Sequence, residues 1–435
     1  MAPQGDGLAR HGMAPQGDGF ARHGDAARGN GMAPQGDGLA RHGLSKRRRY
    51  GTNDEMVCRG DLFNPKNERQ KIMHIKMTHE ALAKAAKSVA GSLSKDKLSP
   101  WRFVRIEGDG HHATFTACDG DIQIERRVAA EVTEPGVVLV TGKQFVPFAN
   151  ALPGGVGEIR TKGASKVEIE FEASKYTMGA SGVEEWPSFV GPGEKESTVF
   201  LPAVMLREML RKTSWAMSRD DTRKTLKSVH AELANGKLTM VATDGRCLGK
   251  CEFDIDVAAK ANVSFPEKLV GVLMSLLGDE GDARLAFDNR AIRVTCNDWS
   301  VTSRAIDEVY PNWRQVVPSK QPSTITVDRA DFLAEVARAA LSAPESGCIS
   351  VAFAGENIGF ASVCDLSRYQ SKINSVSHGG EDGTFDMDFR LLRNALGCLD
   401  ADDVTVDYTP GKAAPLVVTS EGLPWLAVVM PMRRD

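Results

Sequence analysis

Few residues in this chain are of types and spacings that do chemistry, and most of those sit where turns need them. Asp119 and Asp121 in "ACDGD" form a carboxylate pair able to hold a hard cation. Asp244 and Asp365 occupy corresponding places in two later segments, each directly after a strand pattern, where Asp and Gly serve turn chemistry. The recurrence favours turns over a metal site, and neither metal nor cofactor is expected. His74, His79, His111, His112, His230 and His378 lie in no nucleophile motif with Ser or Cys. Neither GxxxxGK[ST] nor a GxGxxG between strand and helix occurs, and the glycine-rich run beginning at Leu152 follows a helix pattern, the wrong order for cradling phosphate. An acidic α+β hydrolase using Asp119 and Asp121 is the enzymatic alternative; a non-enzyme is the expectation.

Cations on helical faces are the stronger pattern. Lys84 and Lys87 stand three apart opposite Leu82, Ala85 and Val89, and Arg207 and Arg211 stand four apart alongside Met205, Met209 and Leu210. Arg338 falls on a third such helix, and Arg390 and Arg393 share a face of the last. Recurrence of this kind predicts helices that face a common polyanion while the sheets face outward.

The elements carrying these residues come three times, at a spacing of about 125 residues. "IKMTHEALAKAAKSVAGSLS" (75–94), "VFLPAVMLREMLRKTSWAMS" (199–218) and "ITVDRADFLAEVARAALSAP" (325–344) each begin as a strand and continue as an amphipathic helix. Two alternating strands follow, the middle pair joined by Asn235-Gly236, a dipeptide suited to a tight hairpin. A second helix recurs as "GKQFVPFANAL", "PEKLVGVLMSLL" and "DFRLLRNALGCL", and further strand pairs close each unit. The first two units end alike, in "EEWPSF" and "EVYPNW". The expected fold is α+β, built as three repeated domains at 73–193, 194–320 and 321–435.

The first 72 residues are different material. "MAPQGDGLARHG", "MAPQGDGFARHG" and a third copy at 32–43 are rich in Gly and lack periodicity, so disorder is expected. The basic run Lys46, Arg47, Arg48 and Arg49 reads as a solvated charge run, and Met73 as an alternative start. Of 54 Lys and Arg and 57 Asp and Glu, 12 and 8 fall in this extension, which leaves 42 against 49 and a net charge of −7 for the remainder. A protein gripping nucleic acid over most of its surface would need the opposite balance. The 42% hydrophobic content supports well-formed cores, and no apolar run approaches the length of a membrane helix. Eight cysteines without a CxxC pair, the closest being Cys247 and Cys251, read as buried free thiols in a reducing cytoplasm.

Three segments carry a family resemblance: "VATDGRCLG" (241–249), "YPNWRQVVP" (310–318) and "VVMPMRRD" (428–435). They resemble signature segments of the bacterial DNA polymerase III beta subunit, the sliding clamp, and the similarity runs from about Met73 to Asp435. The resemblance implies a head-to-tail homodimer closing a ring whose helices line a central hole. Double-stranded DNA would pass through that hole without sequence preference, with Lys84, Lys87, Arg207, Arg211, Arg338, Arg390 and Arg393 facing it. It implies partners that insert a short peptide between the second and third domains: the DNA polymerase III catalytic subunit, the clamp loader, repair polymerases and other clamp-motif proteins. The matching cleft positions are Leu226, Thr243, Gly245, Arg246, Leu248, Pro311, Val316, Val428, Val429, Met430, Pro431 and Met432. By the same resemblance, the strand with Tyr176 and Met178 meets the helix around Ala340 and Leu341 of the second copy.

The chain departs from the family pattern at Cys247 and Gln315, where many relatives have Arg, and in the first-domain loop "DKLSPWRF", which leaves Lys95 or Lys97 to supply a basic contact. These changes admit a clamp-like regulatory paralogue with altered partner specificity as the alternative within the class.

Overall fold

The computed structural model describes residues 73–163, 165–255, 260–411 and 413–433. The extension 1–72, expected to be disordered, and its basic run at Lys46 to Arg49 lie outside the described residues, as do Arg434 and Asp435.

Strand, helix, strands, helix, strands recurs three times along the described chain. The helix pairs are α1 (His79–Val89) with α2 (Gly142–Ala151), α3 (Ala203–Ser214) with α4 (Glu267–Leu276), and α5 (Arg329–Ala340) with α6 (Phe389–Gly397). Polar caps start three of them. Thr78 accepts the N–H of Ala81 at 3.2 Å, Asp328 that of Asp331 at 2.8 Å and Asp388 that of Arg390 at 2.9 Å, each satisfying a donor the helix itself leaves orphaned. α1 buries Leu82, Ala85, Ala86 and Val89, a stripe at three- and four-residue steps. The first helix of each unit lies on a corresponding hairpin: α1 on the strand Ile122–Ala129, α3 on Cys247–Asp254 and α5 on Asn357–Val363 and Arg368–Asn374. Asn235 and Gly236 take φ of 55° and 72°, the positive values a two-residue hairpin turn demands, so Ala234 pairs with Lys237.

The units are sewn together by sheets that run from one into the next. The strand Trp299–Arg304, last of the second unit, pairs antiparallel with Ile122–Ala129 of the first, Val301 opposite Ile124. Trp425–Val429, last of the third, pairs in the same way with Cys247–Asp254 of the second, Ala427 opposite Gly249. The resulting sheets have thirteen and nine strands. The equivalent strand of the third unit, Arg368–Asn374, has a single neighbour and forms the edge of a four-stranded sheet.

Side chains lock these junctions. Asp298 meets Arg126 at 2.8 Å and Lys84 at 3.3 Å across the first, while Arg211 reaches Asp400 across the second. The indoles of Trp215 and Trp425 both donate to the carbonyl of Lys212, at 3.0 Å each. Gly249 lies beneath that arrangement. A Cβ there would stand 3.0 Å from Trp215 Nε1 and 3.1 Å from the Lys212 carbonyl, so the close approach of α3 to the strand depends on the missing side chain.

Candidate functional site

A small apolar cluster, separate from the main core, forms where the second unit, its exit segment and the last strand converge. Val241, Leu248, Tyr310, Trp313 and Val428 are buried there, with Leu226, Val317 and Leu426 packed against them. Polar contacts fix the aromatic rings. Tyr310 stacks on His230 with centroids 4.5 Å apart, and Trp313 Nε1 donates to Glu232 at 3.1 Å. The Arg314 guanidinium lies 4.3 Å from the centre of the Trp313 ring and meets the same carboxylate at 2.5 Å. Burial of Glu232 opposes ionisation, but hydrogen bonds from Arg314 and Trp313 outweigh it and hold the carboxyl below its usual range. Burial also pushes His230 below its ordinary value, against the opposing pull of Glu232. Pro311 and Val316 remain exposed at the rim.

The turn at 244–247 borders this cluster. Asp244 accepts the N–H groups of Arg246 and Cys247 at 2.7 and 2.8 Å, and Thr243 Oγ1 accepts from Gly245 while donating to the Cys247 carbonyl at 2.6 Å. Gly245 sits at φ +90°, where a side chain would strain the backbone. Cys247 points inward, and burial pushes its thiol well above the usual range. The chain's final described residues then cross the site: Met430 N–H donates to the Arg246 carbonyl at 2.9 Å and Met432 N–H to the Asp386 carbonyl at 2.7 Å. Val428 and Val429 are buried, while Met430, Pro431 and Met432 stay half-buried. The result is an apolar patch, buried at its centre, with half-buried deformable thioethers along one side.

On the other side of the turn lies a pocket of about 860 Å³ between the second and third units. Gly245, Arg246 and Cys247 line it, together with Arg219, Asp220 and Arg223 from the segment after α3 and Asp388, Arg390, Arg393 and Asn394 from the start of α6. Arg390 and Arg393, expected to face DNA, therefore line the cleft region. Helical spacing puts the two on one face, and the face turns toward the 244–247 turn. Arg390 is also engaged by Asp388 at 2.7 Å and by the Ser346 carbonyl at 2.6 Å.

The other predicted DNA-facing cations lie on equivalent helices, with varied engagement. Lys87 is exposed, and among the described residues it has no ion-pair partner. Lys84 is exposed but reaches Asp298, Arg207 pairs with Asp279 at 2.5 Å, and Arg211 is held by Glu208 at 2.7 Å as well as by Asp400. Arg338 pairs with Glu335, which also accepts from Tyr369 Oη at 2.6 Å and Ser371 Oγ at 2.5 Å.

The expected seam residues divide. Leu341 is 84% exposed at the end of α5, and Ala340 beside it is half-buried. Tyr176 is half-buried and stacks on Phe148 at 4.3 Å. Met178 is a correction, because its side chain is buried in the core of its own unit. On the strand Ser174–Ser181 the outward positions are Lys175, Thr177 and Gly179, so Met178 belongs to the inner row of a period-two pattern.

Asp119 serves a turn, accepting the N–H groups of Asp121 and Ile122 at 3.0 Å each, as Asp244 does in the second unit; its other oxygen meets Lys268. Sequence reasoning missed Val241, Tyr310, Trp313, Val317 and Leu426 of the apolar floor, and Arg219 and Arg223 of the pocket. The runs "EVYPNW" and "YPNWRQVVP" carried the aromatic signal, but read as the end of a unit and as part of the family resemblance, without Tyr310 and Trp313 being singled out as site residues.

The family model for the DNA polymerase III beta subunit, N-terminal domain, matches residues 73–190, and that for the central domain matches 200–312. The beta sliding clamp of Pseudomonas aeruginosa is 24% identical over 377 residues, covering 83% of this chain and 100% of that protein. The crystal structure of the DNA polymerase III subunit beta from the same organism superposes with a TM-score of 0.78 at 23% identity, over 83% of this chain and 100% of its own. The DNA polymerase sliding clamp from Bacillus subtilis gives 0.79 at 19% identity over the same shares. With the two family models together spanning more than half of its length, the chain belongs to the DNA polymerase III beta subunit family.

Proposed function

We infer that this chain is a DNA sliding clamp, a processivity factor that encircles duplex DNA as a head-to-tail homodimer and tethers the replicative polymerase and other clamp-motif proteins. The observation that carries the reading is the threefold repeat whose sheets pass unbroken between units. One edge strand, Arg368–Asn374, is left over where the repeat calls for a further neighbour. A second copy supplies that neighbour through its own first-unit closing strand, Ser174–Ser181, the counterpart of Trp299–Arg304 and Trp425–Val429, whose residues before Ala180 are paired on one side only. The exposed Leu341, with Val363 and Leu366 at 52% and 97% exposure, supports a covered surface beside that edge.

The domain division is read as 73–193, 194–320 and 321–435, following an N-terminal extension. Lys84, Lys87, Arg207, Arg211 and Arg338 are the residues proposed to face the duplex. Their partial engagement by carboxylates suits a sliding contact, which has to be weak because topology does the holding. The apolar groove around Leu226, Leu248, Val428 and Met430, rimmed by Pro311 and Val316 and floored by Thr243, Gly245 and Val429, is the proposed peptide cleft, with Arg246, Pro431 and Met432 at its polar end. The role is non-catalytic and cytoplasmic. Among the described residues, no helix is long and apolar enough to cross a membrane.

The test is retention on nicked circular DNA in the presence of a clamp loader. The expected result is a complex that survives gel filtration and is lost when the circle is cut. Equal retention on circular and linear DNA would sink the reading.

A further inference from the structure

Five arginines and three aspartates line the pocket between the 244–247 turn and α6. Three of the five are spoken for: Arg223 by Asp220 at 3.5 Å, Arg246 by Asp244 at 3.8 Å and Arg390 by both oxygens of Asp388. Arg219 and Arg393 are exposed, and among the described residues neither has a carboxylate within ion-pairing distance. The guanidinium carbon of Arg393 lies 5.9 Å from the centre of the Phe389 ring. The protein as a whole carries the opposite sign, a net −3. A locally positive pocket in an acidic protein, open to solvent and adjoining an apolar groove through a single turn, presents charge to whatever enters that groove.

We propose that this pocket receives carboxylate side chains flanking the apolar anchor of the partner peptide, so that the clamp selects partners with acidic residues beside their clamp motif. This rests on the reading of the adjoining groove as the peptide cleft. Leu248 and Val428 hold the anchor on one side of the turn, and Arg219 and Arg393 meet the flanking acids on the other. Two such exposed pairs together amount to about tenfold in affinity, with salt screening to match. A basic flank is disfavoured by the same charges, which is a means of discrimination as well as of attraction.

The experiment is calorimetric titration of the full chain with QLxLF-type peptides carrying paired Glu, Gln or Lys residues, placed before the motif in one set and after it in another. At low salt the Glu-flanked peptide of one set is expected to bind about tenfold tighter than its Gln counterpart, with the Lys version weakest, and the spread to narrow at high salt. The double variant R219Q/R393Q is expected to erase the spread while leaving the Gln-flanked affinity unchanged. Equal affinities for all flanks in the unmodified protein would overturn the proposal and leave the cleft standing. A spread that survives in R219Q/R393Q would overturn the assignment to those two arginines. Failure of every peptide to bind would overturn the cleft reading itself, and this inference with it.

Discussion

Glu335 is the clearest case of a charge kept inside for a reason. Although buried, its carboxyl is held at about 2, because hydrogen bonds from Arg338, Ser371 and Tyr369 outweigh the burial that would raise it. A carboxyl depressed on folding adds stability above its unfolded value near 4.3, and that stability fades as pH falls toward 2. Replacing Glu335 with Gln is therefore expected to cost about 1–3 kcal/mol at neutral pH and to flatten the decline in Tm between about pH 4.5 and 2. Thermal melts across that range check it, and a variant whose melting curve tracks the unmodified protein at every pH would refute it. Individual residues are unevenly legible in the sequence. Asn235-Gly236 announces its turn because few dipeptides tolerate two positive φ values in succession. Met178 and Arg390 do not announce their places. The family resemblance puts Tyr176 and Met178 at a seam, yet an apolar row on a strand faces its unit's own core first. For Arg390 the helical face is visible, but not the neighbouring unit that it meets.

At the scale of elements, the strand Arg368–Asn374 and the end of α5 together leave a sheet edge and exposed apolar side chains side by side. The strand alternates exposed Arg368, Gln370, Lys372 and Asn374 with half-buried residues, and its single pairing neighbour leaves one edge of the backbone without a ladder partner. Hydrogen bonds tie Ser367 to Ser342 at 2.9 Å and Ser362 to the Ala339 carbonyl at 2.7 Å, which keeps Leu341, Val363 and Leu366 close together beside that edge. Leu341→Glu would put a charge into whatever covers this patch and leave the fold intact, since the side chain is free of the core. The expected outcome in analytical ultracentrifugation is a shift from dimer to monomer, with an unchanged circular-dichroism spectrum and a melting temperature no longer dependent on protein concentration. An undisturbed dimer would remove α5 from the seam. The paired helices are readable from periodicity and caps because these are local properties. Which strands join one unit to the next is not, since pairing across units depends on edges that only the assembled repeat brings together.

At the scale of the whole molecule, a clamp separates holding from touching. Lys84→Glu and Lys87→Glu together remove cations from the proposed inner wall, and binding to linear DNA should become less salt-dependent, by about 0.9 in the slope of log K against log salt for each phosphate no longer neutralised. Retention on closed circles at about 0.5 M salt should be unaffected, as measured by gel filtration after loading. A parallel drop on circles would mean that charge, not enclosure, keeps the protein in place.

The sheets that cross the junctions have a mechanical corollary. To admit a duplex the hoop must be breached somewhere, and both junctions inside the chain are reinforced twice, by strand pairing and by the covalent run of residues 182–196 or 305–322. In the proposed ring the junction between copies lacks a covalent run and has only strand pairing and the apolar patch around Leu341, Val363 and Leu366. On that reading any agent that pries the hoop apart meets least resistance at the rim strand Arg368–Asn374, and a crosslink placed across it is expected to lock the circle shut without touching a helix.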